Sequence, residues 1–200
     1  MRDIVPAFAL IATLAVTAAP ASAGWTLDPE HSAITYVSIK SKDIPENNYF
    51  HEMRGQIDDR GQATLILMLD SVETLIPIRN ERMREILFET ANYKEATLKA
   101  QVDPKLFSEL APGQVKRLAA EGQLSLRGQT QNLTLSFLVG RLDKDRLMVA
   151  TAEPVLIQAG KFSLSPAVEK LREIAGLPSI SEAVPVTFVG TFVQTPAKTQ

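Results

Sequence analysis

The stretch Asn132 to Gly140, NLTLSFLVG, sets Leu133, Leu135, Phe137 and Val139 at every second position. Successive side chains leave a strand on opposite faces, so strict alternation marks a strand with one apolar face and one polar face. A helix is excluded, because its apolar stripe recurs every three or four residues. The turn Arg127-Gly128-Gln129 precedes the stretch and Asp143-Lys144-Asp145 follows it, which makes it one member of a run of hairpins. Upstream, Val115 to Arg127 reads as a long strand pinned by Leu118, Leu124 and Leu126. Downstream, Leu147 to Ala152 and Pro154 to Phe162 read as two more. Their apolar faces need a common interior.

The rest of the chain continues the pattern. Trp25 to Leu27 reads as a short first strand closed by Asp28-Pro29. Ser32 to Lys40 follows as a second strand, with Ile34 and Tyr36 on one side. Lys42 to Asn48 carries Pro45 and reads as a polar loop. Phe50 to Asp58 turns at Asp58-Asp59-Arg60-Gly61 into Gln62 to Leu69, and Thr97 to Val102 and Val184 to Val193 complete the strands. Two short helices are predicted at crossovers. In the first, Asn80 is read as the N-cap, with Met83, Ile86 and Leu87 on one face. In the second, Ser165 is read as the cap before Pro166, with Val168, Leu171, Ile174 and Ala175 as the face and Gly176 and Pro178 as the stop. Asp103 opens a further short helical stretch, Pro104 to Leu110. About eight antiparallel strands most economically close into a barrel, which removes exposed edges and encloses room for one elongated small ligand.

Composition excludes several classes. The 21 Lys and Arg against 23 Asp and Glu give a formal net charge of -2, with no basic block to bind nucleic acid. Without cysteine there is no disulfide scaffold, thiolate zinc site or lipidated cysteine. The two histidines, His31 and His51, form no spacing that presets a metal site. No Gly-x-Ser-x-Gly elbow, cysteine nucleophile or phosphate loop occurs, so no catalytic residue is assigned and no enzyme is expected. Residues 1–23 read as an export signal: Arg2, an apolar run from Ile4 to Ala19, then Ala21-Ser22-Ala23 before Gly24. The predicted organisation is a signal at 1–23, one barrel domain at 24–194 and a flexible tail at 195–200. The mature chain is expected in the periplasm or outside the cell, with no membrane span.

Four segments together resemble the YceI-like family of secreted lipid- or polyisoprenoid-binding proteins. The first is Trp25 to Ser32, WTLDPEHS, similar to the family's opening strand and Asp-x-x-His-Ser turn. The second holds Ser71, Val72, Glu73 and Thr74, then Arg79, Arg84 and Phe88, then Tyr93, Ala96 and Thr97. The third is Gly122-Gln-Leu-Ser-Leu-Arg-Gly128 with Thr130 and Leu133-Thr134-Leu135. The fourth is Phe162 ahead of the second helix and the closing apolar strand. Asn80 stands where the family has Asp, Arg82 where it has His, Met83 for Leu, Lys94 for Pro and Lys40 for a frequent His. Contacts made by the family histidines therefore do not carry over. The resemblance implies a mainly β, eight-stranded, extended antiparallel, lipocalin-like barrel holding an isoprenoid-type chain.

The candidate ligand-binding residues are Tyr36, Phe50, Met68, Phe137 and Phe188 from the strands, with Met83 and Leu87 from the first helix and Arg79 at its turn. Two readings of the apolar residues stay open, a channel for an amphiphilic lipid or a dry core. Arg79 is read either as a head-group contact or as a brace on the Leu75–Ile78 loop. Arg82 is read as solvated, with the pairs Glu81–Arg84 and Arg82–Glu85 along the helix. The expected partner is an amphiphilic lipid of polyisoprenoid or isoprenoid-quinone type, bound non-covalently, with no other cofactor. A homodimer is left open, as is an accessory role through a protein partner at the exposed loop Gly176 to Val184.

Overall fold

The computed structural model describes residues 24–195. The expected export signal at 1–23, and all of the expected tail except Thr195, lie outside them. Eleven strand segments run in chain order: β1 (Gly24–Lys40), β2 (Ile44–Phe50), β3 (Met53–Ile57), β4 (Gln62–Met68), β5 (Val72–Glu73), β6 (Glu95–Gln101), β7 (Val115–Leu126), β8 (Gln129–Arg141), β9 (Arg146–Thr151), β10 (Val155–Gln158) and β11 (Ala183–Thr195). Eight of them form a closed antiparallel ring in the order β1, β3, β4, β6, β7, β8, β9, β11, with β11 returning to β1. β2 and β5 extend the sheet beyond β1 at one end, and β10 extends it beside β11. The fold is the expected mainly β, eight-stranded barrel.

Three helical pieces accompany the barrel: α1 (Pro77–Arg82), α2 (Lys105–Glu109) and α3 (Ser165–Ile174). α1 widens directly into a π turn over Met83–Phe88, and Glu89 ends it with a left-handed backbone at φ 49°. Asn80 is not the N-cap. Pro77 opens the helix, where its missing N–H costs nothing, and Asn80 lies one turn inside it and buried. Ser165 is likewise inside α3 and bonds Glu182 through its hydroxyl at 2.7 Å.

Two local predictions give way for identifiable reasons. Asp28-Pro29 does not end a strand; it bulges a single strand of 17 residues. Asp28 Oδ1 accepts the Glu30 N–H at 3.1 Å, its other oxygen meets His31 Nδ1 at 2.8 Å, and Ser32 donates to the Asp28 carbonyl at 2.6 Å. The Ser32 hydroxyl also accepts the Thr191 N–H at 3.1 Å, bridging the ladder where register shifts. The stretch predicted as a loop at Lys42 to Asn48 is mostly β2. Pro45 is tolerated there because β2 pairs with β1 along its length but with β5 only at Tyr49 and Phe50.

Tight turns set the hairpin registers. At the β3–β4 turn, Asp58 Oδ1 accepts from Arg60 N and Gln62 N, and Gly61 sits at φ 80°. A Cβ on Gly61 would stand 2.0 Å from the Val102 carbonyl oxygen, whereas one on Gly113, at φ 81°, would meet nothing within 4 Å. We predict that Gly61→Ala lowers unfolding free energy by about 2–4 kcal/mol and Gly113→Ala by only about 1 kcal/mol, since both are left-handed but only the first clashes. Denaturant unfolding of the two variants measures the difference; equal losses would disprove the carbonyl clash.

Candidate ligand cavity

Small residues hollow the barrel at one level. Ala63 on β4 faces Ala100 on β6, and Ala100 in turn faces Gly122 on β7, so three adjacent strands share one inward layer with almost no side chain. Above and below it the inward positions carry larger groups, among them Leu65, Leu67, Leu98, Leu124 and Leu135, and on β8 Leu133 stands directly opposite Gly122. The result is a cavity of about 280 Å³ inside the barrel. That is about twenty times the roughly 10–15 Å³ one water needs, and its walls offer water very few partners. Polar residues at the wall are confined to Tyr36, Gln56, Thr64 and Thr151. Thr151 is satisfied by the backbone of Phe188.

Each end of the barrel is closed differently. At one end Met83, Leu87 and Phe88 of the π turn meet Leu164 and Val168 at the start of α3, over Phe50 and Leu69. At the other, α2 inserts Leu106 and Phe107. Arg141 fixes this second plug: Nε donates to the Leu110 carbonyl at 3.1 Å and Nη2 to the Phe107 carbonyl at 2.8 Å. Its guanidinium also lies 5.2 Å from the Trp25 ring centroid, and Trp25 packs 6.0 Å from Phe107.

A polar frame surrounds the α1 end. Asn80 Oδ1 accepts from Thr74 N at 2.8 Å and Thr74 Oγ1 at 2.5 Å, while Nδ2 donates to Glu73 Oε1 at 2.8 Å. That same Glu73 oxygen accepts the N–H of Leu75, which is held left-handed at φ 61° with its side chain mostly exposed. The hydrogen bond from Asn80, then that from Leu75, holds the Glu73 carboxyl below its usual range. Arg79 Nη1 pairs with Glu46 at 2.6 Å and Nη2 donates to the Thr74 carbonyl at 2.6 Å. Lys40 reaches the other oxygen of Glu46 at 2.7 Å. Hydrogen bonding from Lys40, then from Arg79, lowers the Glu46 pKa against the opposing effect of burial. Burial pushes the Tyr36 phenol well above its ordinary value of 10.0.

Tyr36, Phe50, Met83, Leu87, Phe137 and Phe188 all line the cavity. Met68 and Arg79 do not. Met68 lies one position out of phase with the inward Leu67 and Leu69, and its sulfur is 3.7 Å from Arg54 Nη2. Arg79 braces the loop through the Thr74 carbonyl. Among the described residues the pairs Glu81–Arg84 and Arg82–Glu85 do not form; Arg84 instead reaches the Asp70 carbonyl at 3.3 Å. The Gly176 to Val184 loop is docked on β1, with Ser181 N bonded to the Ile39 carbonyl at 2.8 Å and Ser41 N to the Ser179 carbonyl at 2.9 Å. The small layer of Ala63, Ala100 and Gly122 has no signal in the sequence, because β4 and β6, and β6 and β7, are joined by long connections that fix no register. No helix among the described residues is long and apolar enough to cross a membrane.

The YceI-like domain family model matches residues 25–192. A polyisoprenoid-binding domain from Saccharophagus degradans, implicated in plant cell wall breakdown, superposes with a TM-score of 0.84 at 36% identity, over 88% of this chain and 100% of that one. Burkholderia cenocepacia BcnA aligns at 17% identity with a TM-score of 0.65, over 82% and 98% of the two chains. A Campylobacter jejuni YceI protein aligns at 12% identity with a TM-score of 0.51, over 76% and 85%. These last two share the fold. No protein of curated function matches the sequence significantly.

The frame makes two predictions. Asn80→Ala strands the buried Thr74 N–H and is expected to cost about 2 kcal/mol in denaturant unfolding; a loss below 0.5 kcal/mol, within about the range of ordinary surface changes, would remove Asn80 from the frame. Because the folded Glu46 pKa is depressed below 4.5, its contribution is complete above that value and is lost as pH falls through the folded pKa. Glu46→Gln should therefore flatten the acid limb of the melting temperature against pH, while an unchanged limb would mean the Lys40–Glu46–Arg79 bridge adds nothing.

Proposed function

The chain belongs to the YceI-like domain family, and from that premise we propose that it is an exported, non-catalytic carrier of an amphiphilic lipid with a polyisoprenoid tail. The observation that carries this reading is the apolar cavity of about 280 Å³ running between two plugged ends. Apolar burial supplies roughly 25 cal/mol per Å², so a long hydrocarbon tail draws affinity from such walls without directed contacts. The ligand named for the Saccharophagus degradans domain points to an isoprenoid chain. Export rests on the leader features at residues 1–23, and it places the carrier where such lipids meet an aqueous compartment. The alternative, an accessory protein with a dry core, is disfavoured by the cavity itself.

Native mass spectrometry of protein gently purified from the exported fraction tests the reading. One lipid per chain, released on denaturation, is expected. Ala100→Phe places a ring in the hollow layer and should reduce binding of a prenyl lipid at least tenfold while the chain still folds. Bare protein mass, with no uptake of prenyl lipids on incubation, would overturn the proposal.

A further inference from the structure

A cavity plugged at both ends has to open before a lipid can enter it, and the two plugs are secured by different kinds of bond. The α2 plug is stitched into the wall through its backbone. On one side Val102 N donates to the Gly61 carbonyl at 2.9 Å, and on the other Gly113 N donates to the Arg141 carbonyl at 2.8 Å. The opposite plug is a strap from Leu75 to Tyr93, carrying α1 and its π turn. Among the described residues the strap's backbone bonds only within itself and to the side chains of Glu73 and Thr74 at its start. Just past its far end, the Lys94 carbonyl accepts the Leu69 N–H at 2.9 Å. Leu75 at φ 61° and Glu89 at φ 49° break the backbone on either side of the helical stretch. Left-handed residues and π turns both collect at functional and switching segments.

Two ion pairs hold the strap to the barrel rim. Arg79 with Glu46 lies four residues from its start. Glu89 with Arg127 comes directly after Phe88, so it pins the stretch whose Met83, Leu87 and Phe88 seal the lumen. Arg127 stands in the β7–β8 turn and also donates to the Ser163 carbonyl at 3.2 Å, just ahead of α3. Leu164 and Val168 of α3 complete the same seal, so one guanidinium clasps both halves of this plug. Resting on the lipid-carrier reading, we infer that Leu75–Tyr93 is the lid through which the tail enters, with the Glu89–Arg127 pair as its latch. Lifting the strap exchanges half-buried ion pairs for water, whereas opening the α2 end breaks backbone bonds of the wall. Neither Glu89 nor Arg127 lines the cavity. The latch therefore closes the lid alike over an empty and a filled lumen, and it sets exchange rates without setting affinity.

The test follows geranylgeranyl anthranilate, a fluorescent prenyl ester, entering the full chain by stopped flow and leaving it under a geranylgeraniol chase. Glu89→Gln should raise both rates by about fivefold or more and move Kd by less than about twofold. Arg141→Met, which loosens the α2 plug, should leave both rates unchanged. The chain has no cysteine, so Glu89→Cys combined with Arg127→Cys can be bridged selectively by a short bis-methanethiosulfonate. Bridging should slow uptake by about tenfold or more, and reductant should restore it. Undiminished uptake in the bridged protein, or exchange quickened by Arg141→Met and not by Glu89→Gln, would overturn the lid while leaving the lipid reading intact. Failure of both the ester and geranylgeraniol to bind would overturn the lipid reading and the lid together.

Discussion

β1 meets β11 from Gly24 opposite Thr195 to Tyr36 opposite Val186, and this seam turns an open meander into a ring. Without it the sheet would present two edges, each a row of unpaired backbone groups. One strand must serve the seam, β3 at its start and β2 at its end, so β1 has to be long. A long strand cannot follow a closed barrel without bending, and the Asp28–Ser32 bulge supplies the bend. The Asp-Pro-Glu-His-Ser motif is thus understood through backbone geometry: carboxylate and hydroxyl bond backbone groups at the bulge, and the imidazole holds the carboxylate. His31 needs no catalytic role to explain its position.

Once the ring is closed, its diameter follows from strand number and stagger. The polar elements at either end then keep it capped. Arg141 ties α2 to the barrel through two carbonyls, and Arg127 links the β7–β8 turn to the Glu89 carboxylate and to the Ser163 carbonyl. Glu89, Arg127 and Ser163 each have positive φ, so three strained connections meet around one guanidinium. The substitution of Asn for the family's Asp at position 80 fits the same scheme. Its amide donates to Glu73, which an ionised carboxylate could not do.

Strand existence was legible wherever one face is polar. β8 declares itself through Leu133, Leu135, Phe137 and Val139, and the eight-strand closure follows from counting such runs. Parity was not legible in β4, because Leu65, Ile66, Leu67, Met68 and Leu69 are all apolar and alternation vanishes. The sequence therefore assigns Met68 no face, and the structure sets it one position out of phase with the lining Leu67 and Leu69. Asn80 misled through its own chemistry: the side chain that caps a helix from outside can equally bond a preceding strand end from within. The sequence leaves Arg79 open between a head-group contact and a loop brace, because no pattern of residues reveals its partners, which in the structure are the Glu46 carboxylate and the Thr74 carbonyl.

The hollow layer is the point at which sequence and barrel geometry combine. Between helices, small residues draw the elements together and remove space. In a closed ring the strands cannot approach across the lumen, because their separation is set by the hydrogen-bond ladder on either side. Ala63 and Ala100 therefore leave space in the lumen instead of tightening packing, while Gly122 admits the Leu135 side chain against its backbone. Large-to-small changes in an ordinary core are partly repaired by collapse. Here collapse would have to break the β1–β11 seam. The same covalent chain that closes the ring thus commits it to an interior its own side chains do not fill, and the chemistry of the wall decides what can.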